Sequence, residues 1–320
     1  MLYALPEGVR LEVLVGASVQ EIVEGWLGET GRLQDSSLHP VPDNLNFSLW
    51  LQDPLLVRTD GSMSVSDAFE RYDDLTTTRL LLDTLKQPEQ QASIAVDGGN
   101  VLVHGGTVLV SADAGADAPS LSAFDPGRTV TAVGTVAPCA VERSRETDRP
   151  RPGWREILDY LSAETTHQPI FHLDHMIAPC GEEHGRPRFM VGSPRMGAKA
   201  ARHPLWPHAQ AEAFDEIARL LRGRGMAVVR NPQPLGWVDR PELSRRRWFY
   251  LPVNNVLIDG NDVLLPCFAN DAWPEFEAVD AENIDLWQSL GFDVVPIPGL
   301  MALAEAMGGP RCMVKVLERV

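Results

Sequence analysis

A loose internal repeat limits the architectures that this chain can adopt. Five short hairpin-like or strand-like segments recur at uneven intervals, each combining apolar or β-branched runs with glycine, proline or aspartate turns. The five segments cover residues 46–59, 96–111, 170–193, 251–266 and 308–320. A small unit that repeats in this way predicts several small sheets, not one doubly wound sheet.

Segments of helical character lie between these units. The clearest covers residues 208–222, where apolar side chains recur on one helical face and glycines follow. Further helices are predicted over residues 66–86, 154–162, 280–290 and 300–307, and single strands over residues 226–230, 292–297 and 313–317. Hairpins that alternate with helices and single strands predict a mixed α/β protein.

Length and composition indicate one globular protein with few classes of partner. A single domain is predicted over residues 1–320, of which residues 1–45 lie outside the repeated pattern. The net charge of −16 disfavours nucleic acid and anionic membranes and favours cationic ligands. We find no apolar run of transmembrane length and no basic start of a secretory signal. Four cysteines without CxxC pairs or zinc spacing indicate reduced thiols and a cytoplasmic protein.

Cys312 differs from the other cysteines in its sequence setting. It follows the turn Gly308-Gly309-Pro310, and glycines allow a ligand to approach the backbone closely. A thiol is nucleophilic only as a thiolate, so a reactive Cys312 needs a positive environment, to which the adjacent Arg311 could contribute. The alternative is an ordinary buried thiol at the start of an edge strand.

His172 and Asp174 lie in the apolar segment FHLDHM, at the start of the third hairpin unit. If this segment is a strand, positions 172 and 174 point to one face and His175 points to the other. A buried carboxylate in such a strand requires a cationic partner. We therefore expect an imidazole and a carboxylate in one site. The alternative for His172 is a core histidine whose ring is satisfied by its neighbours.

Two further carboxylates are candidates for the same site. Asp53 ends the run WLQD, which starts at Trp50, and Asp97 starts the run DGGN. Carboxylates pair bidentately with a planar guanidinium, and each charge-assisted hydrogen bond contributes roughly 1.5 to 3 kcal/mol. The alternatives are a turn aspartate before proline for Asp53 and a turn residue for Asp97. A thiol, an imidazole and several carboxylates together predict a cysteine enzyme that acts on a guanidinium group.

These motifs resemble those of the pentein superfamily of guanidino-modifying enzymes, and most closely those of the catalytic domain of peptidylarginine deiminases. WLQD resembles the WxQD motif of that family, HLD resembles its HxD motif, and the SPR at Ser193 resembles the SPR that follows HxD. DGGN is similar to a segment of the arginine and agmatine deiminases. The resemblance implies an α/β propeller of five blades, formed by the five repeated units around a central site.

The resemblance also implies a role for each candidate residue. Cys312 is the nucleophile that attacks the guanidinium carbon, and His172 protonates the departing ammonia and then activates water. Asp53 and Asp174 hold the guanidinium as part of the catalytic group. The product is a ureido group, which is citrulline when the substrate is an arginine side chain. The remaining substrate-binding candidates are Asp97 and Trp50.

The expected substrate is an arginine-containing peptide or a small guanidino compound, with protein-arginine deiminase activity preferred. No cofactor is expected. The family resemblance raises calcium dependence, but the sequence contains no EF-hand-like loop to support it. One position departs from the family pattern, because Arg311 stands where relatives usually carry a histidine before the nucleophile.

The sequence leaves other functions open. An amidinotransferase would use the same cysteine, histidine and aspartates, with an amine in place of water. A non-catalytic binding protein of this fold would be expected to lack His172 and Cys312. A papain-like protease is disfavoured because His172 precedes Cys312 in the chain.

Overall fold

The computed structural model describes residues 4–6, 8–66, 72–89, 95–140, 143–148, 150–158, 165–206 and 208–318. The chain divides into two compact units. The first comprises Met1–Gly98, Ala123–Asp125 and Cys312–Val320, and the second comprises Gly99–Ser122 and Pro126–Arg311. That residues 1–320 form a single catalytic domain stays a prediction.

Two small sheets and two helices form the described part of the first unit. In one sheet two strands pair in parallel, and a helix connects them along the chain. The other sheet is an antiparallel hairpin. Buried Leu55, Met63 and Leu82 form an apolar cluster, against which Leu317 of the C-terminal segment packs. The elements are β1 (Leu11–Gly16), α1 (Gln20–Glu29), β2 (Ser36–Val41), β3 (Leu55–Val57), β4 (Met63–Val65) and α2 (Asp74–Thr84).

The second unit contains the remaining strands and helices. They are β5 (Val101–His104), β6 (Thr107–Ser111), α3 (Ala118–Phe124), β7 (Thr129–Val133), β8 (Cys139–Ala140), β9 (Arg143–Thr147), β10 (Trp154–Leu158), β11 (Thr165–Thr166), β12 (Ile177–Glu183), β13 (Arg186–Ser193), α4 (Pro194–Ala200), α5 (Ala211–Gly223), β14 (Ala227–Pro232), β15 (Leu235–Arg240), β16 (Arg245–Tyr250), β17 (Leu257–Asp259), β18 (Asp262–Pro266), α6 (Glu277–Ser289), β19 (Asp293–Ile297) and α7 (Met301–Glu305). The end of α3, from Ala123, is assigned to the first unit.

Three sheets of the second unit share one topology. In β5-β6-β7, β12-β13-β14 and β17-β18-β19, an antiparallel hairpin is followed by helix and by a strand parallel to the middle strand. Gly105 and Gly260 make two of the hairpin turns with φ of 52° and 56°, in the left-handed region that glycine adopts readily. These sheets confirm the predicted α/β fold of small repeated units. The arrangement of five blades stays a prediction.

The apolar side of α6 packs on the last two of these sheets. Trp287 of α6 is fully buried with Met190 of β13 and with Val263 and Leu265 of β18. Each fully buried large apolar side chain stabilises the fold by roughly 1.5 to 3 kcal/mol. The helix predicted over residues 208–222 is α5, and its buried residues lie on one face. No helix in the described ranges is long and apolar enough to cross a membrane.

The following predictions of secondary structure are wrong in the described residues. Trp154–Leu158 is strand β10 and not a helix, because it pairs with β9 on one side and β16 on the other. Residues 159–162 of that predicted helix lie outside the described part. Residues 313–317 form no strand, since Arg311–Met313 is a 3-10 turn followed by irregular chain. Helix α2 begins at Asp74, and residues 67–71 of the helix predicted from residue 66 are outside the description.

Candidate active site

The segment that carries Asp53 is a turn that leads into β3. Asp53 N donates a hydrogen bond to Trp50 O at 3.2 Å, and the strand begins after Pro54. The side chain of Asp53 is buried. The strand-like segment predicted over residues 46–59 is therefore wrong before Leu55, because residues 46–54 form turns and irregular chain and Asp53 precedes the strand instead of ending one.

Backbone contacts hold this turn against two other candidate segments of the first unit. Gln52 N donates to Cys312 O at 3.1 Å, and Gly98 N donates to Asp53 O at 3.0 Å. A Cβ atom on Gly98 would lie 1.9 Å from Gln52 O, so only glycine permits this approach. The first unit thus brings Asp53, Cys312 and the residue after Asp97 together.

The four cysteines are free thiols, and their environments differ. Burial raises the pKa of Cys180 to about 12 and the pKa of Cys267 to about 12, so both are protonated at neutral pH. Cys139 lies 3.8 Å from Thr135 Oγ1. Cys312 is buried within the 3-10 turn Arg311–Met313, close to the turn that carries Asp53.

The two remaining candidates of the first unit lie beside the Asp53 turn in sequence or in space. Trp50 is half-buried and lines a small pocket with Leu14, Phe47 and Thr77. Asp97 is half-buried in the loop before the 3-10 turn Gly98–Asn100. The substrate-binding roles of Trp50 and Asp97 stay predictions.

In the second unit, the segment with His172 and Asp174 is a tight turn and not the strand that the sequence predicted. His172 is extended, with φ of −120° and ψ of 150°, and Leu173–His175 then forms a 3-10 helix. His175 N donates to His172 O at 3.3 Å, and Met176 N donates to Leu173 O at 3.0 Å. The strand β12 begins only at Ile177.

The turn nevertheless brings the predicted side chains together and adds a third. One ligand atom each of His172, Asp174 and His175 lies within 4.8 Å of the others, and all three residues are buried. The expectation that His175 faces away is wrong, because the turn lacks the two-residue period of a strand. The i, i+3 spacing of the two histidines was the available signal, since a 3-10 helix has three residues per turn.

Close packing fixes the ring of His172. Phe171 stacks on it with ring centroids 4.1 Å apart, and Asn100 Oδ1 accepts a hydrogen bond from Leu173 N at 3.2 Å. A Cβ atom on Gly99 would lie 2.3 Å from His172 Nδ1, so glycine is required there as well. The DGGN segment therefore contains two glycines whose missing side chains allow close packing. Gln52, beside Asp53, packs on Gly98 within the first unit, and the His172 ring packs on Gly99 within the second.

Asp174 is fully buried, and its carboxylate is paired with a guanidinium group of the same chain. Arg311 Nη1 lies 2.5 Å from Asp174 Oδ2, and Arg311 Nη2 donates to Val101 O at 3.2 Å. The other carboxylate oxygen, Oδ1, lies 3.8 Å from His175 Nε2 and has no hydrogen-bond partner among the described residues. The predicted need for a cationic partner at Asp174 is confirmed, and the chain itself provides that cation.

His172, Asp174 and His175 are also residue types that ligate metal ions. A metal ion on Oδ2 of Asp174 would have to displace the Arg311 guanidinium, which is paired with that oxygen. In this structure the charge partner of the carboxylate is therefore a guanidinium group.

No family model and no curated protein matches the sequence. Solved structures do match. Agmatine deiminase of C. jejuni superposes with a TM-score of 0.57 at 12% identity, over 94% of this chain and 80% of that chain. A Porphyromonas gingivalis protein proposed to be an arginine deiminase gives a TM-score of 0.59 at 17% identity, over 95% and 83%.

An amidinotransferase of the saxitoxin pathway from Microseira wollei gives a TM-score of 0.50 at 12% identity, covering 95% of this chain and 84% of that chain. The fold is the pentein fold. At these identities the likeness shows the fold alone. The pentein structures described here are named for deiminase and amidinotransferase reactions, and none is named as a protein-arginine deiminase.

Proposed function

We propose that this protein is a guanidino-modifying cysteine enzyme of the pentein type, a deiminase that converts an arginine-type guanidinium group into a ureido group and ammonia. One observation carries the proposal. Asp174 is fully buried beside His172 and holds a guanidinium group, that of Arg311, at 2.5 Å. The pentein fold supports the same reaction class, because solved structures with this fold are named for guanidino chemistry.

In the proposed mechanism, the thiolate of Cys312 attacks the central carbon of a substrate guanidinium that Asp53 and Asp174 hold. A carbon–sulfur bond forms, one carbon–nitrogen bond breaks, and His172 gives its proton to the departing ammonia. His172 then takes a proton from water, which attacks the thiouronium carbon and displaces the thiolate. General acid–base assistance of this kind accelerates each proton-transfer step by roughly 10²- to 10⁴-fold.

The unpartnered oxygen of Asp174 supports a substrate role for this residue. Arg311 uses Oδ2, whereas Oδ1 has no hydrogen-bond donor among the described residues. A buried carboxylate oxygen without a donor is costly, and a substrate N–H group would satisfy it. His175 Nε2 lies 3.8 Å from Oδ1, which is beyond hydrogen-bond distance.

An arginine side chain in a peptide is our preferred substrate, supported by the resemblance of WLQD and HLD to protein-arginine deiminase motifs. Small guanidino compounds such as arginine or agmatine are the alternatives, and the agmatine deiminase of the same fold supports them. Four free thiols support a cytoplasmic enzyme, because the cytoplasm keeps thiols reduced.

An amidinotransferase is the second candidate function, since a solved amidinotransferase has this fold. It would pass through the same thiouronium intermediate, with an amine in place of water. Incubation with an arginine donor, with and without an acceptor amine, separates the two. A ureido product without the amine indicates a hydrolase, and a new guanidino product that requires the amine indicates a transferase.

A colorimetric ureido assay on arginine, agmatine and an arginyl peptide tests the proposed function. We expect product from at least one of them, complete loss in Cys312→Ser, and retained activity in Cys267→Ser, the matched control at a thiol that burial keeps protonated. Folded, reduced protein that yields neither ureido nor guanidino product from any of them would refute both candidate functions.

A further inference from the structure

Among the buried asparagines and glutamines of the second unit, five are at most 2% exposed. Buried amides are costly unless they are hydrogen-bonded, so a group of them indicates a built arrangement. None belongs to the proposed catalytic group. The five residues are Asn231, Gln233, Asn254, Asn255 and Asn283.

Two of these amides fix the turn that carries His172 and Asp174. Asn254 Nδ2 donates to Met176 O at 2.8 Å, and Gln233 Nε2 donates to His175 O at 2.8 Å. Gln233 Nε2 also donates to Leu251 O at 3.0 Å, which ties the same turn to the residues just before Asn254. The carbonyl groups of His175 and Met176, at the end of the 3-10 helix, are therefore held by Gln233 and Asn254.

The next amide along the chain fixes a different segment. Arg311 N donates to Asn255 Oδ1 at 2.8 Å. A Cβ atom on Gly309 would lie 2.6 Å from that oxygen, so the backbone of Gly309 packs directly on the Asn255 amide. Two backbone bonds fix the turn itself, from Val253 N to Leu251 O at 2.9 Å and from Asn255 N to Pro252 O at 3.0 Å.

We infer that Asn255 is a positioning residue for the proposed reaction, an inference that rests on the proposed function. The Asn255 side chain accepts a hydrogen bond from the backbone N–H of Arg311. The guanidinium group of Arg311 is paired with Asp174, and Cys312 is the next residue in the chain. Asn254, the neighbour of Asn255, holds the turn of His172 and Asp174. One buried Asn-Asn pair thus sets the backbone of the acid–base turn and of the residue before the nucleophile.

The first test replaces Asn255 with alanine and with aspartate. Asn255→Ala leaves Arg311 N without its acceptor, and we expect kcat to fall about 30- to 100-fold with KM within about 3-fold, as for a small misplacement of reacting groups. Asn255→Asp keeps an acceptor oxygen for Arg311 N but buries a carboxylate, so we expect lower stability and, in the folded protein, a kcat within about 5-fold of wild type. Val279→Ala removes a buried apolar side chain of α6 and is the matched control, with lower stability and unchanged kcat.

A double-mutant cycle tests whether Asn255 acts through the loop that packs on it. Gly309→Ala places a methyl group 2.6 Å from Asn255 Oδ1, 2.9 Å from its Cβ and 3.0 Å from its Cγ. Asn255→Gly removes all three atoms. We expect each single variant to lose activity, and the double variant to lose less than the product of the two losses. Strictly multiplicative losses would contradict the inference.

The rate of Cys312 alkylation by iodoacetamide, measured across pH by mass spectrometry of its peptide, provides a readout that needs no turnover. Because Asn255→Ala frees the chain next to Cys312, we expect its alkylation–pH profile to shift while that of Val279→Ala matches wild type. Equal profiles and an equal kcat in Asn255→Ala would overturn the positioning role alone. Absence of turnover in wild type with a shifted profile would overturn the proposed function and leave the positioning of Cys312 standing.

Discussion

Two buried aspartates of the second unit show how the surroundings of a carboxylate decide its use. Asp280, in the first turn of α6, accepts hydrogen bonds from Phe268 N at 2.9 Å and Ala269 N at 2.8 Å, both on Oδ2. Asp174 has a guanidinium on one oxygen, an imidazole 3.8 Å from the other, and no backbone donor among the described residues. Asp280 closes a loop onto a helix, whereas Asp174 is arranged for a planar cation.

The charge environments of Asp280 and Asp174 also differ. Burial raises the pKa of Asp280 from 3.8 to about 6, because its two backbone donors offset only part of the lost hydration. Asp174 has a full positive charge at 2.5 Å. The comparison suggests that a buried carboxylate with a cation and a spare oxygen marks a binding site, and that one with backbone donors marks a structural connection.

The largest expected effect comes from the same isosteric change at both sites. Asp174→Asn should lower kcat/KM by about 10³-fold or more, because the substrate loses a charge-assisted contact in a buried site. Asp280→Asn should leave kcat/KM within about 3-fold of wild type, since it touches no proposed catalytic group. The ureido assay measures both variants, and equal losses at both positions would remove the functional distinction between them.

A second effect concerns the stability that the ion pair supports. Arg311→Gln leaves Asp174 buried without its counter-charge, and breaking a buried pair in this way costs about 3 to 5 kcal/mol. Urea denaturation at neutral pH should show this loss. A free energy of unfolding within about 0.5 kcal/mol of wild type would mean that the pair does not stabilise the fold.

A third effect is the pH dependence contributed by Asp280. Well below pH 4 the folded and unfolded forms both hold the proton of Asp280. Between pH 4 and 6 the unfolded chain releases the proton first, so the folded state loses up to about 3 kcal/mol relative to the unfolded state as pH rises. Asp280→Asn should remove that component of the stability–pH curve, measured by denaturant unfolding from pH 4 to 7. An unchanged curve in the variant would contradict the raised pKa.

A fourth and smaller effect tests how the imidazole beside Asp174 is placed. Gly99→Ala puts a methyl group 2.3 Å from His172 Nδ1 and should lower kcat by about 10- to 100-fold by displacing the ring. Gly106→Ala is the matched control, because no atom lies within 4 Å of its Cβ position and its φ is not positive. Equal activity of the two variants would show that the His172 ring tolerates displacement.

Local signals in the sequence were sufficient for much of the fold. Hairpins at Gly105 and Gly260 and the helix α5 follow from turn glycines and from helical periodicity over a few residues. Strand β10 pairs with β9, which lies close in sequence, and with Arg245–Tyr250, which lies far along the chain. A short strand between two others is decided by these tertiary contacts more than by its own composition.

In the candidate site, too, local sequence predicted some features and distant contacts decided the others. Residue chemistry pointed to His172, Asp174, Asp53 and Cys312, but the turn that joins His172 to Asp174 and His175 depends on Gly99 and Asn100, some 70 residues earlier. The partner of Asp174 lies 137 residues away in sequence. No local pattern at Arg311 indicates that its side chain is directed at this carboxylate.

The most direct measurement is an acid-quench experiment that looks for a covalent intermediate. The enzyme would be mixed with arginine, agmatine or an arginyl peptide labelled with ¹³C at the guanidinium carbon, quenched in acid, and digested for mass spectrometry. We predict the labelled carbon on the Cys312 peptide of the wild type and none in Cys312→Ser. Ureido or guanidino product formed by folded Cys312→Ser, or label on another residue, would contradict the account.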